Sequence, residues 1–184
     1  MELPNIVYII LAVLLVVILI IFAKYNTLIK LQNRVKRAKA NIDISLKKRF
    51  DLIPNIVECV KSYSKYENDT LKDIVSLRNN YMNNKNMGVD ETSKVDDKVS
   101  AFLAVIEAYP ELKANSEYLA LQGELHRIED ELGRARHAYN DEVTRYNTSV
   151  ETVPSNIVAL IFAFKKAPLY KAEKEARNNI KVEM

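Results

Sequence analysis

The sequence predicts an all-α protein: an amino-terminal transmembrane helix followed by an elongated antiparallel bundle of about four helices. Three observations point there. From Ile6 to Ala23 the chain reads IVYIILAVLLVVILIIFA, without one charged or strongly polar residue. Beyond it, apolar residues recur at alternating three- and four-residue steps over long stretches, the period of a helix with one buried face. Three glycines and five prolines in 184 residues leave few turns.

With Leu3, Pro4 and Asn5 the apolar run has about 21 residues, which at ~1.5 Å per residue matches a hydrocarbon core of ~30 Å. Glu2 precedes it and bulky residues finish it, so the basic flank and small-residue cleavage site of a secretory signal peptide are missing. Residues 1–24 therefore read as an uncleaved anchor. A buried helix of a soluble core rarely stays apolar on every face for this long.

Lys24, Lys30, Arg34, Lys36, Arg37, Lys39, Lys47, Lys48 and Arg49 follow the run, and no Lys or Arg precedes it. The positive-inside rule then predicts a single-pass protein of the cell membrane, amino terminus outside and bundle cytoplasmic. The net charge of only +3 gives no domain-wide basic field, so nucleic acid is not an expected partner. Anionic lipid headgroups near Lys24 to Arg49 are, at ~1 kcal/mol per well-placed cation.

Residues 25–168 are enough for one bundle with its own core, and 169–184 form a charged tail. Leu28, Leu31, Val35, Ala38 and Ile42 open the seam of the first long helix. Leu46, Phe50, Ile53, Val57 and Val60 continue it after a four-residue stutter, which changes how the seam winds around its neighbours. Pro54 removes an intrahelical hydrogen bond and crowds the Phe50 carbonyl, so a kink is expected before it. Cys59, the only cysteine, sits between apolar neighbours and reads as a buried filler.

Asn68 or Thr70 caps a second helix with Leu71, Ile74 and Leu77 on its inner face, running to about Asn83. NNKNMGVDET reads as a loop or frayed link. Helix resumes near Ser93, with Val95, Val99, Phe102, Leu103 and Ile106, and stops at Tyr109-Pro110. Asn115 or Ser116 then caps the last long helix. Its seam is Tyr118, Leu121, Leu125, Ile128, Leu132, Ala135, Tyr139, Val143, Tyr146 and Val150. Gly123 and Gly133 each cost that helix ~1 kcal/mol relative to Ala, which fits either close backbone approach or simple tolerance. Val153-Pro154 ends it, and SNIVALIFAF begins a short helix at Ser155 that is apolar nearly all round.

YNTLIKLQNRV, IDISLKKRFDLIPNIVECVKSY, EAYPELKAN and ARHAYNDEVTRYNTSVETVPSNIVALIFAF, in this order and spacing, resemble the LemA family from Tyr25 to Tyr170. The resemblance implies a bacterial membrane protein with one amino-terminal span and an antiparallel helical bundle, and no established enzymatic activity. AKANI, from Ala38 to Ile42, departs from the family pattern in lacking a Trp often found there.

Searched for chemistry, the chain holds no Gly-rich phosphate loop, no GxSxG elbow, no HExxH and no CxxC. Nor does it hold the Glu-x-x-His pairs of a di-iron bundle. His126 and Glu129 stand in the reverse order, and His126 and His137 are three turns apart, too far along the axis for one metal. No cofactor, metal or catalytic residue is implied.

Tyr-Asn occurs at Tyr25-Asn26, Tyr139-Asn140 and Tyr146-Asn147, the last two seven residues apart on one face. Asn beside a buried seam needs a polar partner. Arg136, Tyr139, Asn140, Tyr146 and Asn147 are expected to meet polar groups of the first helix, Asn26 among them, and to fix its register. The alternative is surface amides in a chain rich in Lys and Asn.

If the first helix runs away from the membrane, the two short helices together come back and the last long helix runs out again, Tyr109-Pro110 lies near the bilayer. Residues 154–164 then lie at the far end. There Ile157, Leu160, Ile161, Phe162 and Phe164 form either a cap on the bundle or an interaction surface for another protein. The function expected is a non-enzymatic, membrane-anchored scaffold or adaptor, with an unidentified membrane or cytoplasmic protein as partner and possible homo-oligomers. The alternative is a membrane-tethered hydrolase with an unrecognised active site.

Overall fold

The apolar run and the seam beyond it form one helix in the computed structural model, α1 (Leu3–Tyr63), which passes through Pro54 unbroken. The structure describes residues 3–63, 68–84, 89, 92, 94, 97–100 and 115–170, and all regular structure among them is helical. The remaining elements are α2 (Asn68–Asn83), α3 (Ser116–Glu151) and α4 (Ser155–Ile161). Side chains from Asn5 to Ile20 are exposed all round, and this is the one described helix long and apolar enough to cross a membrane.

Burial on α1 starts at Leu28 and follows the expected seam through Val35, Ala38, Ile42, Leu46, Phe50, Ile53 and Val57. Tyr118, Leu125, Ile128, Leu132, Tyr139, Val143 and Tyr146 of α3 are buried too. The helices lie antiparallel: Ser45 and Lys48 hydrogen-bond Glu131 at 3.2 and 2.7 Å, while Val150 packs on the cluster around Leu28. Asn115 caps α3, its Oδ1 accepting from the Glu117 and Tyr118 amides. Burial pushes the Cys59 thiol up from its ordinary value, and Glu117 and Glu58 push the same way, so it stays protonated as an apolar filler.

Among the described residues, charge enters this core at one point. Arg49 is buried between helices, its Nη2 donating to Glu129 Oε1 at 2.9 Å and to Ser100 Oγ at 3.0 Å. It thereby ties α1 to α3 and to the helical residues 97–100. Lys47 pairs with Asp51 and Lys48 with Glu131, so the far part of the basic run serves the bundle itself.

Pro54 decides where α2 sits. Lacking an amide proton, it leaves the Phe50 carbonyl without its helical donor. Arg78 of α2 fills the gap, its Nε donating to that oxygen at 3.1 Å while Nη2 lies 3.6 Å from Asp51. Tyr81, one turn on, meets the Phe50 ring edge-on with centroids 4.3 Å apart. Val89 and Thr92, expected in a loop, are helical and buried; covering the core outweighs the weak propensity of the Asn-rich stretch around them. Val95, Phe102, Leu103, Ile106 and Tyr109-Pro110 lie outside the described residues.

Nothing lies within 4 Å of where a Cβ would stand at Gly123 or Gly133, so neither marks a close backbone approach. Gly123→Ala and Gly133→Ala should each stabilise the bundle by ~0.5–1 kcal/mol in denaturant titration, through the unfolded state. Arg78→Ala should cost ~1–2 kcal/mol by leaving a carbonyl unsatisfied. In a Pro54→Ala background, where residue 54 again donates to Phe50, the same change should cost at least ~0.5 kcal/mol less; equal costs would show that Arg78 acts only through Asp51.

Candidate functional site

After α4 the chain reverses. Ala163 sits in the left-handed region at φ 55°. Its amide donates to the Leu160 carbonyl at 3.3 Å and the Phe164 amide to the Ala159 carbonyl at 2.9 Å, the paired bonds of a Schellman turn usually built on glycine. Residues 165–170 then run back along α3 as an extended strap.

Two asparagines hold that strap as the edge of a sheet would. Asn147 Nδ2 donates to the Ala167 carbonyl and its Oδ1 accepts the Ala167 amide, both at 2.9 Å. Asn140 makes the same pair with Tyr170, at 3.0 and 2.8 Å. The tyrosines beside them take two further carbonyls of the strap: Tyr146 donates to Lys165, just before the first clamp, and Tyr139 to Pro168, between the two, each at 2.9 Å. Burial pushes both hydroxyls up from their ordinary value, which keeps them protonated as donors. Seven helical residues advance ~10.5 Å and three extended residues ~10 Å, so the repeat on α3 and the spacing on the strap coincide. Pro168, fixed in φ and lacking an amide proton, suits a strap that needs only its carbonyl.

The asparagines thus find their partners on the strap and not on the first helix. The tyrosines do likewise, although Tyr146 also hydrogen-bonds Gln32 of α1. Arg136 joins by stacking its guanidinium 4.9 Å over the Tyr170 ring. Asn26 is exposed, away from these contacts. Partners for the asparagines were expected in a helix because the strap carries no helical or strand period. Its legible trace was the match of a seven-residue repeat to an extended segment ending in Pro168.

α4 is displaced further from expectation. It lies not at the far end of the bundle but beside the end of the apolar run, where Val158 and Ala159 are buried on Leu28, with Ile21, Tyr25 and Phe164 packed around them. The Tyr25 ring stands 4.8 Å from Phe162 and 5.8 Å from Phe164. α3 begins at the far end and ends here, so α4 has nowhere else to go. Of the expected surface residues, Phe164 is partly buried, while Ile157, Leu160, Ile161 and Phe162 are exposed.

Among the described residues no group of three or more His, Cys, Asp or Glu is placed to hold a metal. His126 is exposed, its Nδ1 3.8 Å from Glu129.

Asn140→Ala and Asn147→Ala should each lower stability by ~1–3 kcal/mol, because each strands two main-chain groups of the strap. The double variant should lose less than the sum, since a strap freed at one point holds less well at the other. Hydrogen exchange at the Ala167 and Tyr170 amides should rise in both single variants; unchanged exchange would mean that the amides do not hold the strap.

Residues 38–184 match the LemA family. Protein LemA of Metamycoplasma hominis is 27% identical over 158 residues, covering 84% of this chain and 72% of that protein. Magnetosome proteins MamQ 1 and MamQ 2 of Paramagnetospirillum magneticum are each 21% identical over 176 residues, covering 80% of this chain and 65% of theirs. The chain therefore spans just under two thirds of the length of those two relatives.

Proposed function

The chain belongs to the LemA family, and from that premise we propose that it is a membrane-anchored scaffold or adaptor without catalysis, its bundle in the cytoplasm and its amino terminus outside. The observation that carries this reading is the unbroken run of α1 from Leu3 to Tyr63. A span that continues as the central helix of a bundle transmits position and orientation stiffly, which suits holding partners at fixed height above a bilayer. At ~1.5 Å per residue, the part beyond Lys24 reaches ~60 Å. The Asn clamps and the Arg49–Glu129 pair stiffen the same body.

Support for a non-enzymatic role comes from the polar groups themselves. Tyr139, Asn140, Tyr146 and Asn147 are spent on main-chain partners of the strap, which gives these four side chains structural work rather than a substrate. None of the three relatives bears the name of an enzyme. The positive-inside bias of Lys24 to Arg37 supports the orientation. Partners are membrane or cytoplasmic proteins, a second copy of the chain included.

A protease-cleavable tag after Met184 should survive protease treatment of intact protoplasts and be lost on lysis; cleavage without lysis overturns the orientation. Photo-crosslinking in intact membranes should capture a small, reproducible set of proteins. Hydrolytic turnover by the purified chain, abolished by one side-chain substitution, would replace the scaffold reading with an enzyme.

A further inference from the structure

Among the described residues beyond the apolar run, large apolar side chains are exposed singly at Ile44, Leu119 and Leu169, but five crowd between Val153 and Phe162. Leu160 is 84% exposed, Val153 77% and Ile161 61%. A contiguous patch of this kind on a folded surface marks a face that something apolar covers.

Its position says what. α4 packs its inner face on Leu28 and reaches down to Ile21, the point on the apolar run where complete exposure gives way to partial burial. Ile21 is two residues before the end of that run at Ala23, so α4 lies at the level where the helix leaves hydrocarbon. Phe22 of the apolar run is exposed like the outer side chains of α4, and the packing of Ile21 and Tyr25 on the α4 cluster brings the two sets side by side. Tyr25, between them, packs its ring tilted against Phe162 at the height where tyrosines favour the bilayer interface. Lys24, next after the apolar run, and the exposed Lys165, next after Phe164, supply cations beside the patch, while Lys166 pairs with Glu151.

We propose that α4 is an interfacial membrane helix: Ile157, Leu160, Ile161 and Phe162 enter the boundary between headgroups and acyl chains beside the emerging α1. The bilayer is the occupant of this surface. The proposal rests on α1 crossing the membrane. It adds a second attachment, so the bundle is fixed against tilting and turning about its anchor, and the strap that follows α4 starts from the membrane surface. A two-turn helix is too short to span, but the depth of ~5–10 Å reached by interfacial helices suits its apolar face.

The test uses the full-length chain with Cys59→Ala, reconstituted in vesicles of phosphatidylcholine with about a third phosphatidylglycerol. A polarity-sensitive dye is placed at Leu160→Cys, at Leu14→Cys in the apolar run, or at Leu119→Cys on the far part of α3. All three side chains are exposed, so helicity by circular dichroism should be unchanged. Lipids carrying a nitroxide near the headgroup should quench the dye at position 160 at least about twofold more than at 119, and deep nitroxides should quench position 14 best. If position 14 is quenched and 160 behaves like 119, α1 spans the bilayer and the proposal for α4 is wrong. Rapid disulfide dimerisation of unlabelled Leu160→Cys, without lipid quenching, would make a second copy the occupant and equally overturn it. Failure to quench position 14 would instead overturn the membrane-anchored reading beneath it.

Discussion

A helix that leaves its apolar run at Ala23 and continues to Tyr63 carries its apolar stripe far beyond any stretch that lipid could cover. That stripe, from Leu28 to Val57, must be covered by protein. α3 does most of this, seam against seam, and each fully buried Leu, Ile or Phe contributes ~1.5–3 kcal/mol. The remaining elements occupy what this pairing leaves: α2 and residues 97–100 cover the far half of α1, and α4 and the strap cover the near end.

Apolar burial alone does not fix how two long helices slide past one another, because neighbouring registers bury similar area. The polar groups discriminate. Arg49 reaches both Glu129 and Ser100 in one register, and sliding α3 by a turn would take the Glu129 carboxylate away from a buried guanidinium, which is unfavourable. Arg78 reaches the carbonyl freed by Pro54 at one position of α2. The Asn140 and Asn147 clamps fix the strap at two points of one repeat. A helix-breaking residue and two poor helix formers thus act as locators.

The stiffness that results suits the membrane-anchored scaffold proposed above. A continuous α1 couples the apolar run to the bundle, and the strap and α4 gather at its near end. Proximal cations from Lys24 to Arg37 remain exposed or nearly so, whereas Lys47, Lys48 and Arg49 are engaged within the bundle. The basic run therefore divides into a largely exposed part next to the apolar run and a part engaged in ion pairs, Lys47 within α1 and Lys48 and Arg49 across to α3.

The sequence by itself determined where the long helices lie and which face each of them buries, though not the helical, buried Val89 and Thr92. The seam of α3 was legible position by position, as were Ser155 as the start of α4 and the burial of Cys59, because helical periodicity and capping are local properties of the chain. What lies against a buried face is not local. Asn140 and Asn147 advertised a need for partners, but the partners sit on a strap without any period, about 20 to 30 residues on. The height of α4 depended on how far the segment between α2 and α3 travels. Asn115 lies at the far end, so α3 runs toward the apolar run and not away from it. Periodicity is blind to that direction, since a helix buries the same stripe whichever way it points, and only the packed tertiary structure decided it.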